Sequence, residues 1–231
     1  MTRLGERAVT RRPHGARYAT VVFDVDSTLA AIEGIDWLAE QRGPEVARDC
    51  ANLTARAMAG EMPIEDVYMQ RVRAIAPTAA ELSALSNAYC AAVETGAAQL
   101  IAALLAAECD VHLLSGGLRT ALLPLARQLG VAADHVHAVT LAPDSEGRFV
   151  SLNGEQALAT QQGKAMVLSS LHLARPLVMI GDGSTDAAAR GVTDAFIAYT
   201  GVARRPNVVA VADAEASNFG ALALLLFEVQ S

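Results

Sequence analysis

The sequence predicts an α/β fold, a doubly wound, mainly parallel sheet with a Rossmann-like core and an inserted helical cap domain. An apolar run at residues 21–23 ends in a polar turn that contains Asp24 and Asp26. Residues 31–95 then change to helical periodicity, and from residue 96 onwards short apolar runs alternate with helical segments. Strands that alternate with helices are typical of a parallel sheet covered by helices on both faces.

The composition favours a globular protein that acts on a small molecule. With 231 residues, 52% of them hydrophobic, the chain can bury a core of ordinary size. The net charge of −7 argues against a nucleic-acid partner, because contacts to phosphates require basic surfaces. No apolar stretch reaches the roughly 18 residues that a membrane-spanning helix needs. We therefore expect no nucleic acid and no membrane as partners, and a homodimer is a possible assembly.

The first 17 residues are rich in arginine, with five of them, but contain no apolar segment of the kind found in secretory signals. We expect a disordered or flexible tail over residues 1–17 and a cytoplasmic location. The three cysteines are odd in number, widely spaced and surrounded by apolar residues, as is usual for reduced core residues.

The end of the first predicted strand carries the strongest chemical signal. Asp24 and Asp26 stand two residues apart and are followed by Ser27 and Thr28. Paired carboxylates of this kind suit a nucleophile, a Mg²⁺ ligand and an acid/base, which phosphoryl transfer through an aspartyl-phosphate requires together. A loop that only binds metal, or a helix N-cap, is the alternative interpretation.

Residues 31–95 are predicted to form the helical cap, inserted after the first strand. Val46, Cys50, Leu53 and Ala57 recur at helical spacing. Prolines at 44 and 63 fit helix starts, and the segment from Thr78 to Glu81 has the pattern of a capping box.

The rest of the chain, together with residues 18–30, is predicted to form the α/β catalytic core (18–30 and 96–231). In order, we expect a helix over 97–108, a strand over 111–114, a helix over 118–129, a hairpin from the runs 135–141 and 148–152, a helix near 156–172, strands over 177–180, 195–199 and 208–211, and a closing helix. Polar motifs follow several of these strands, and ligands bind at that edge of such sheets.

Four motifs occur in a fixed order: Asp24-Val25-Asp26-Ser27-Thr28, Leu114-Ser115-Gly116-Gly117, Lys164, and Gly181-Asp182-Gly183-Ser184-Thr185-Asp186. By the order and spacing of these motifs, the chain from about residue 20 to residue 213 resembles the haloacid dehalogenase superfamily. Within that superfamily it is similar to the phosphoserine phosphatases, which carry a helical cap after the first strand.

The resemblance implies a role for each motif residue. Asp24 would be the nucleophile, and Asp26 would be the acid that protonates the leaving group and then the base that deprotonates water. The metal would be Mg²⁺, with Asp24, the main-chain carbonyl of Asp26, Asp182 and Asp186 around it. Ser115, Gly116 and Thr185 would bind the phosphate. Taken singly, an N-terminal-turn aspartate explains Asp186, and a tight turn explains residues 115–117.

Lys164 draws attention without any family knowledge, because it is the single lysine among 18 basic residues. A compact ammonium differs from a planar guanidinium in reach and hydration, so a site that requires lysine resists replacement by arginine. Chance retention is the alternative. The resemblance implies that Lys164 offsets the negative charge of the nucleophile and of the phosphoryl group that is transferred.

The cap residues that the resemblance assigns to the substrate are Glu33, facing an amino group, and Arg71, facing a carboxylate. Met58 and Ile64 would shield the pocket. A solvated helical face is the alternative for Glu33 and Arg71. For His135 and His137 a third metal ligand is absent nearby in the sequence, so we interpret them as ordinary surface histidines.

The resulting hypothesis is a Mg²⁺-dependent phosphatase that hydrolyses O-phospho-L-serine through an aspartyl-phosphate. The alternatives are a phosphatase of the same superfamily that acts on another small phosphomonoester, and a non-catalytic phosphate-binding protein.

Overall fold

The structure, a computed structural model, describes residues 15–58, 61–153 and 156–228; the side chain of Met58 lies outside the described part. A six-stranded sheet has the strand order β3-β2-β1-β6-β7-β8, and every neighbouring pair is parallel. Its strands are β1 (Thr20–Phe23), β2 (Asp110–Leu118), β3 (Val136–Val139), β6 (Leu177–Gly181), β7 (Ala195–Tyr199) and β8 (Ala214–Ala216). The predicted fold class is confirmed.

The central strand β1 lies between two apolar cores, one on each face of the sheet. Val21 and Phe23 belong to one core, which includes Phe219, whereas Val22 faces the other core with Leu168. All four residues of β1 are buried. Burial on both faces explains why the strand is a continuous apolar run and not an alternating one.

Four helices lie between β1 and the next helix of the core: α1 (Gly34–Gln41), α2 (Pro44–Met58), α3 (Ile64–Ile75) and α4 (Ala79–Ala91). The predicted capping box at the start of α4 is confirmed, because Glu81 N donates to Thr78 Oγ1 and Thr78 N donates to Glu81 Oε2. α1, α2 and α3 pack against one another, and α4 also packs against the core helix α6 (Arg119–Leu129).

The remaining helices are α5 (Ala97–Ala106), α7 (Gly163–Ser170), α8 (Ser184–Ala188), α9 (Pro206–Val209) and α10 (Phe219–Leu226). The predicted hairpin is formed by β4 (Leu141–Pro143) and β5 (Phe149–Leu152), which pair antiparallel. The predicted strand over 135–141 is divided at Thr140, because β3 belongs to the main sheet and only β4 belongs to the hairpin.

Three element predictions are wrong in detail. Residues 206–209 form helix α9 where a strand was expected over 208–211, because Pro206 supplies the backbone angle of a first helical residue; the last strand is β8. The helix expected over 156–172 is interrupted by the extended backbone of Thr160. Strand β2 continues through residues 115–117 to Leu118, with an irregular register against β3 after Leu114.

Residues 15–17 of the predicted tail contact the end of the last helix, and the rest of that tail lies outside the described residues. Ala16 is buried and forms an antiparallel bridge with Phe227, while Arg17 N donates to Leu226 O. No helix in the described ranges is both long and apolar enough to cross a membrane.

Candidate active site

A cavity of about 800 Å³ lies between the carboxyl ends of β1 and β6 and the helices α2 and α3. Among its lining residues are most of the predicted site residues: Asp24, Asp26, Glu33, Ile64, Arg71, Gly116, Lys164, Asp182, Thr185 and Asp186. The parallel strands of the sheet bring most of these residues together, because residues 24–28 and 181–186 begin where β1 and β6 end and residues 115–117 lie in the last part of β2. Lys164 reaches the same place from the start of α7.

Asp24 is held directly at the end of β1. Its N–H donates to Ile180 O at 2.9 Å, which continues the pairing of β1 with β6 by one residue. Its Oδ1 accepts from Lys164 Nζ at 2.6 Å, and both side chains are buried. Burial, followed by the neighbouring Asp186 carboxylate, raises the pKa of Asp24 to about 6.

Lys164 Nζ lies between Asp24 and Asp186 and donates to both carboxylates. Burial alone would lower the pKa of Lys164, but Asp186 and Asp24 outweigh it and hold the pKa above its ordinary value. The position of the lysine depends on Gly163, because a Cβ built there would overlap the backbone carbonyl of Ala157. The ammonium is therefore charged and fixed in place.

Asp26 accepts three hydrogen bonds. Oδ1 accepts from Gly34 N at 2.6 Å and from Tyr89 Oη at 2.7 Å, and Oδ2 accepts from Ser115 Oγ at 3.0 Å. Burial, with the charge of Asp24 as the second cause, raises the pKa of Asp26 although these hydrogen bonds lower it. Asp26 is thus a carboxyl group whose proton is favoured relative to an exposed aspartate.

The residues present fit a divalent cation. Asp24, Asp182 and Asp186 are buried and offer oxygens that all lie within 4.8 Å of one another. Asp182 Oδ2 is buried and accepts no well-directed hydrogen bond, although the Arg205 guanidinium lies against it. These oxygen ligands are of the kind that Mg²⁺ prefers.

Asp186 accepts hydrogen bonds on both of its carboxylate oxygens. Its Oδ2 accepts from Gly183 N at 2.9 Å, and its Oδ1 accepts from Lys164. A Cβ built on Gly181 would overlap the Asp186 carboxylate, so the glycine at the end of β6 makes room for it. Asp186 therefore contacts the lysine directly, a pairing that the sequence interpretation did not include.

The cap side of the cavity carries Glu33 and Arg71. Glu33 Oε1 accepts from Ser27 Oγ at 2.7 Å, and burial, followed by the charge of Asp26, raises the pKa of Glu33 to about 7. Arg71 donates through Nη2 to Asp36, whereas its Nε is buried and has no hydrogen-bond partner. Ile64 lines the same wall, and the Met58 side chain lies outside the described residues.

Ser115 is placed differently from Gly116 and Thr185. Gly116 and Thr185 line the cavity, while Ser115 is fully buried and its Oγ accepts from Gly117 N at 2.8 Å besides donating to Asp26. The carbonyl of Gly116 accepts from Tyr68 Oη at 2.9 Å, which connects α3 of the cap side to β2 of the core.

Sequence reasoning missed two residues at this site, Tyr89 and Arg205. Arg205 follows β7 and lies with Nη2 at 3.6 Å from Glu33 Oε1 and with Nη1 against Asp182. The signal for Arg205 was its position after a predicted strand at the same edge of the sheet as the other motifs. Tyr89 carried no comparable signal, because it lies within a helix far from any motif.

His135 and His137, which were expected to be ordinary surface histidines, are half-buried and belong to a cluster at the amino end of β2. His112 is buried, and His112 Nε2 lies 3.0 Å from Asp110 Oδ2 while His135 Nδ1 lies 3.3 Å from Asp110 Oδ1. Asp110 and His112 were missed as neighbours of His135 because β2 and the segment before β3 come close only in the fold. The rings of His112 and His135 stack at 4.2 Å with an interplanar angle of 15°, so their in-plane nitrogens do not converge on one ion.

Comparisons with known proteins agree with this geometry. Residues 21–189 match the family model of the haloacid dehalogenase-like hydrolases. The chain is 35% identical over 198 residues to a chloroplastic phosphoserine phosphatase of Arabidopsis thaliana, covering 84% of this chain and 66% of that protein. It is 34% identical over 192 residues to the phosphoserine phosphatase of Mus musculus, covering 81% and 84% of the two chains.

Among solved structures, the fold is similar to that of a phosphoserine phosphohydrolase-like protein from Francisella tularensis. The TM-score is 0.81 at 26% sequence identity, over 90% of this chain and 99% of that chain.

Proposed function

The chain belongs to the haloacid dehalogenase-like hydrolases, and from this premise we propose that it hydrolyses O-phospho-L-serine to L-serine and phosphate with Mg²⁺. The observation that carries the proposal is the buried contact of 2.6 Å between Lys164 Nζ and Asp24 Oδ1 on the floor of a cavity whose cap side presents Glu33 and Arg71. Residues 18–30 and 96–231 would be the catalytic core and residues 31–95 the cap. We propose a role in serine biosynthesis, in the cytoplasm that the sequence analysis expects.

The proposed reaction has two steps on Asp24. In the first, an Asp24 oxygen forms a bond to phosphorus, the bond from phosphorus to the serine oxygen breaks, and the proton of Asp26 goes to that oxygen. In the second, Asp26 takes a proton from water, the water oxygen bonds to phosphorus, and Asp24 is released as a carboxylate. Lys164 lowers the repulsion between Asp24 and the phosphoryl oxygens in both steps.

Asp24, Asp182 and the carbonyl of Asp26 would hold Mg²⁺, with Asp186 oriented behind them by Gly183 N and Lys164. When bound, Mg²⁺ supplies positive charge that stabilises the phosphoryl oxygens in the transition state.

The cap residues support a zwitterionic substrate. Arg71 has a buried Nε without an acceptor, and a substrate carboxylate would satisfy it. Glu33 lines the cavity with a side chain that is 45% exposed, and the charged form of its carboxyl group is disfavoured; a substrate ammonium would stabilise that charge. An amino acid phosphate offers both groups together with the phosphate.

A release assay with a panel of phosphomonoesters tests this function. We expect the wild type to release phosphate from phosphoserine with Mg²⁺, and to stop when the metal is chelated or when Asp24 is replaced in Asp24→Asn. Arg71→Met should lower kcat/KM for phosphoserine roughly tenfold or more, because a hydrogen bond to a charged group is lost, while p-nitrophenyl phosphate is affected little. Arg73→Met, on the exposed side of the same helix, is the control.

Three outcomes would count against the proposal. Equal losses on both substrates in Arg71→Met would contradict the assignment of the cap residues. Preference for a larger phosphomonoester would favour the second candidate, a phosphatase of the same superfamily with another substrate. The cavity volume of about 800 Å³ supports this candidate, because it suits ligands larger than phosphoserine. A wild type that releases phosphate from no ester would favour a non-catalytic phosphate-binding protein.

A further inference from the structure

Tyr89 brings a hydroxyl group from α4 to the predicted acid/base. Its side chain is fully buried, and its Oη lies 2.7 Å from Asp26 Oδ1, although the two residues are 63 positions apart in the chain. Tyr89 does not line the cavity, so it reaches the reaction only through Asp26.

Two glycines from different elements leave room for this hydroxyl. A Cβ built on Gly34, at the start of α1, would overlap Tyr89 Oη. A Cβ built on Gly117, near the end of β2, would lie 3.2 Å from the same atom and 3.0 Å from Asp26 Oδ2. Because the backbone is shaped on two sides around the phenol oxygen, the contact with Asp26 is not an incidental result of core packing.

The hydrogen bonds define which oxygen of Asp26 can carry a proton. Oδ1 accepts from both Gly34 N and Tyr89 Oη, so its lone pairs are occupied by two donors. Oδ2 has only Ser115 Oγ, a hydroxyl that can either donate or accept. Tyr89 Oη is the donor in its contact with Oδ1, because the two lone pairs of that oxygen already face two donors and an ionised carboxylate oxygen can only accept.

We propose that Tyr89 is a positioning residue that, with Gly34 N, fixes Oδ1 of Asp26 and thereby leaves Oδ2 as the oxygen that gives and takes the proton. The inference rests on the proposed function. Without the hydroxyl, Oδ1 keeps one donor, the carboxyl group gains freedom to rotate, and the proton is shared between the two oxygens. Proton delivery to the leaving oxygen then becomes less efficient, while the attack by Asp24 is unchanged.

The dependence on the leaving group separates this role from a structural one. General acid catalysis contributes roughly 10²–10⁴-fold to rate and matters most for a poor leaving group, such as an alkoxide. A p-nitrophenolate ion leaves without a proton. We expect Tyr89→Phe to lower kcat/KM for phosphoserine, or for the best alkyl phosphate, by roughly 10- to 100-fold, and to change kcat/KM for p-nitrophenyl phosphate less than about threefold.

Tyr199→Phe is the matched control. Tyr199 is also buried, and its Oη donates to a carboxylate, Glu94 Oε2, at 2.9 Å, but it does not line the cavity or contact Asp26. This variant should leave the ratio of the two kcat/KM values unchanged. The ratio measured in one preparation does not depend on the folded fraction, so a destabilised Tyr89→Phe still gives an answer.

A double-mutant cycle with Asp26→Asn provides the second measurement. If Tyr89 acts through Asp26, adding Tyr89→Phe to Asp26→Asn lowers kcat/KM for the alkyl phosphate no further. Equal losses on both substrates, no loss, or losses that multiply in the double variant would overturn the inference while the proposed function stands. A wild type without phosphatase activity would overturn the proposed function and this inference together.

Discussion

At the scale of single residues, Lys164 shows why one ammonium group was kept in a chain rich in arginine. Its Nζ lies between Asp24 and Asp186, and all three side chains are buried. A planar guanidinium is wider and cannot place one nitrogen between two carboxylates without moving them. The composition pointed to this residue, and the structure adds the second carboxylate that explains it.

Lys164→Arg should therefore reduce kcat by two orders of magnitude or more while the protein remains folded. The reason is displacement of Asp24, which removes part of the electrostatic stabilisation of the transition state; a single such contact is typically worth roughly 10²–10³ in kcat. Phosphate release and far-UV circular dichroism would be measured together. Arg190→Lys, at an exposed ion pair with Asp213, is the reverse exchange and should be neutral. Near-normal turnover in Lys164→Arg would contradict the argument.

Other residue-scale features could not be predicted from the sequence. The motif aspartates were predicted because they follow strands, and strands are visible as apolar runs. Tyr89 and Arg205 enter the site through tertiary contacts. The position of Arg205 after a predicted strand indicates only the edge of the sheet where it lies, and no local pattern identifies the carboxylate that either residue contacts. The same holds for His112, which stacks on His135 from the short 3-10 helix before β3.

At the scale of elements, α7 illustrates how a helix start can position a functional group. The sequence predicted a single helix near 156–172, whereas the chain forms a short 3-10 helix at residues 157–159 and begins α7 at Gly163. Helical periodicity continues across Thr160, so the break was hidden. We attribute the break between the 3-10 helix and α7 to the close packing of Gly163 on the carbonyl of Ala157. This contact is possible only because glycine has no side chain.

Gly163→Ala should destabilise the protein by about 1–3 kcal/mol, the usual cost of forcing an extra methyl group into a packed site, and should also lower kcat because Lys164 is the next residue. Urea unfolding and phosphate release would measure the two effects. Gly191→Ala is a suitable control, because a Cβ there meets nothing within 4 Å. An equal, small change in both variants would show that the packing at α7 is more tolerant than we infer.

Helix α9 is an element whose type the sequence pattern predicted wrongly. Val208 and Val209 suggested a strand because branched apolar residues favour sheets. Pro206 favours a helix instead, because it is the first residue of α9 and proline is favoured in the first turn of a helix. The strand that completes the sheet, β8, has only three residues and includes Glu215, so it had little hydrophobic pattern to detect.

At the scale of the whole molecule, the two ends of the sheet differ in their electrostatics. The carboxyl ends of the strands carry the aspartates, and the amino end of β2 carries the stacked histidines. Burial is the first cause that lowers the pKa of both His112 and His137, the latter to about 4. Asp110 opposes the shift at His112, whereas the other histidines and Arg119 reinforce it at His137.

This cluster should make stability depend on pH in the mildly acidic range. In the unfolded chain these histidines bind protons as the pH falls through 6.5, while the folded protein keeps His137 neutral down to about pH 4. The contribution of these histidines to the free energy of unfolding should therefore decrease from above pH 6.5 towards pH 4, whereas Asp24 and Glu33, whose pKa values are raised, contribute in the opposite direction. The slope of the free energy of unfolding against pH over this range should be less positive in His137→Gln than in the wild type, as measured by urea unfolding at several pH values. His172→Gln, at an exposed histidine, should keep the wild-type slope; identical slopes in all three proteins would refute the prediction.

The order of the sheet explains why the overall architecture was predictable although many contacts were not. Polar motifs after successive strands indicated one shared edge, and the helical periodicity of residues 31–95 indicated an insertion. Pairing of β1 with both β2 and β6 joins segments about 90 and 157 residues apart, and pattern analysis specifies such neighbours only through general rules for α/β sheets.

The bridge between Ala16 and Phe227 brings the first and last described segments side by side, and Glu228 N donates to Gly15 O at 2.8 Å. A short linker could therefore join residue 15 to residue 228, and new termini could be opened in the exposed β4–β5 turn at Gly147, which has no close neighbours. In such a circular permutant every strand of the sheet would keep its neighbours, although the order of the strands along the chain would change. Folding of this permutant would show that the sheet does not depend on the order of its strands in the chain.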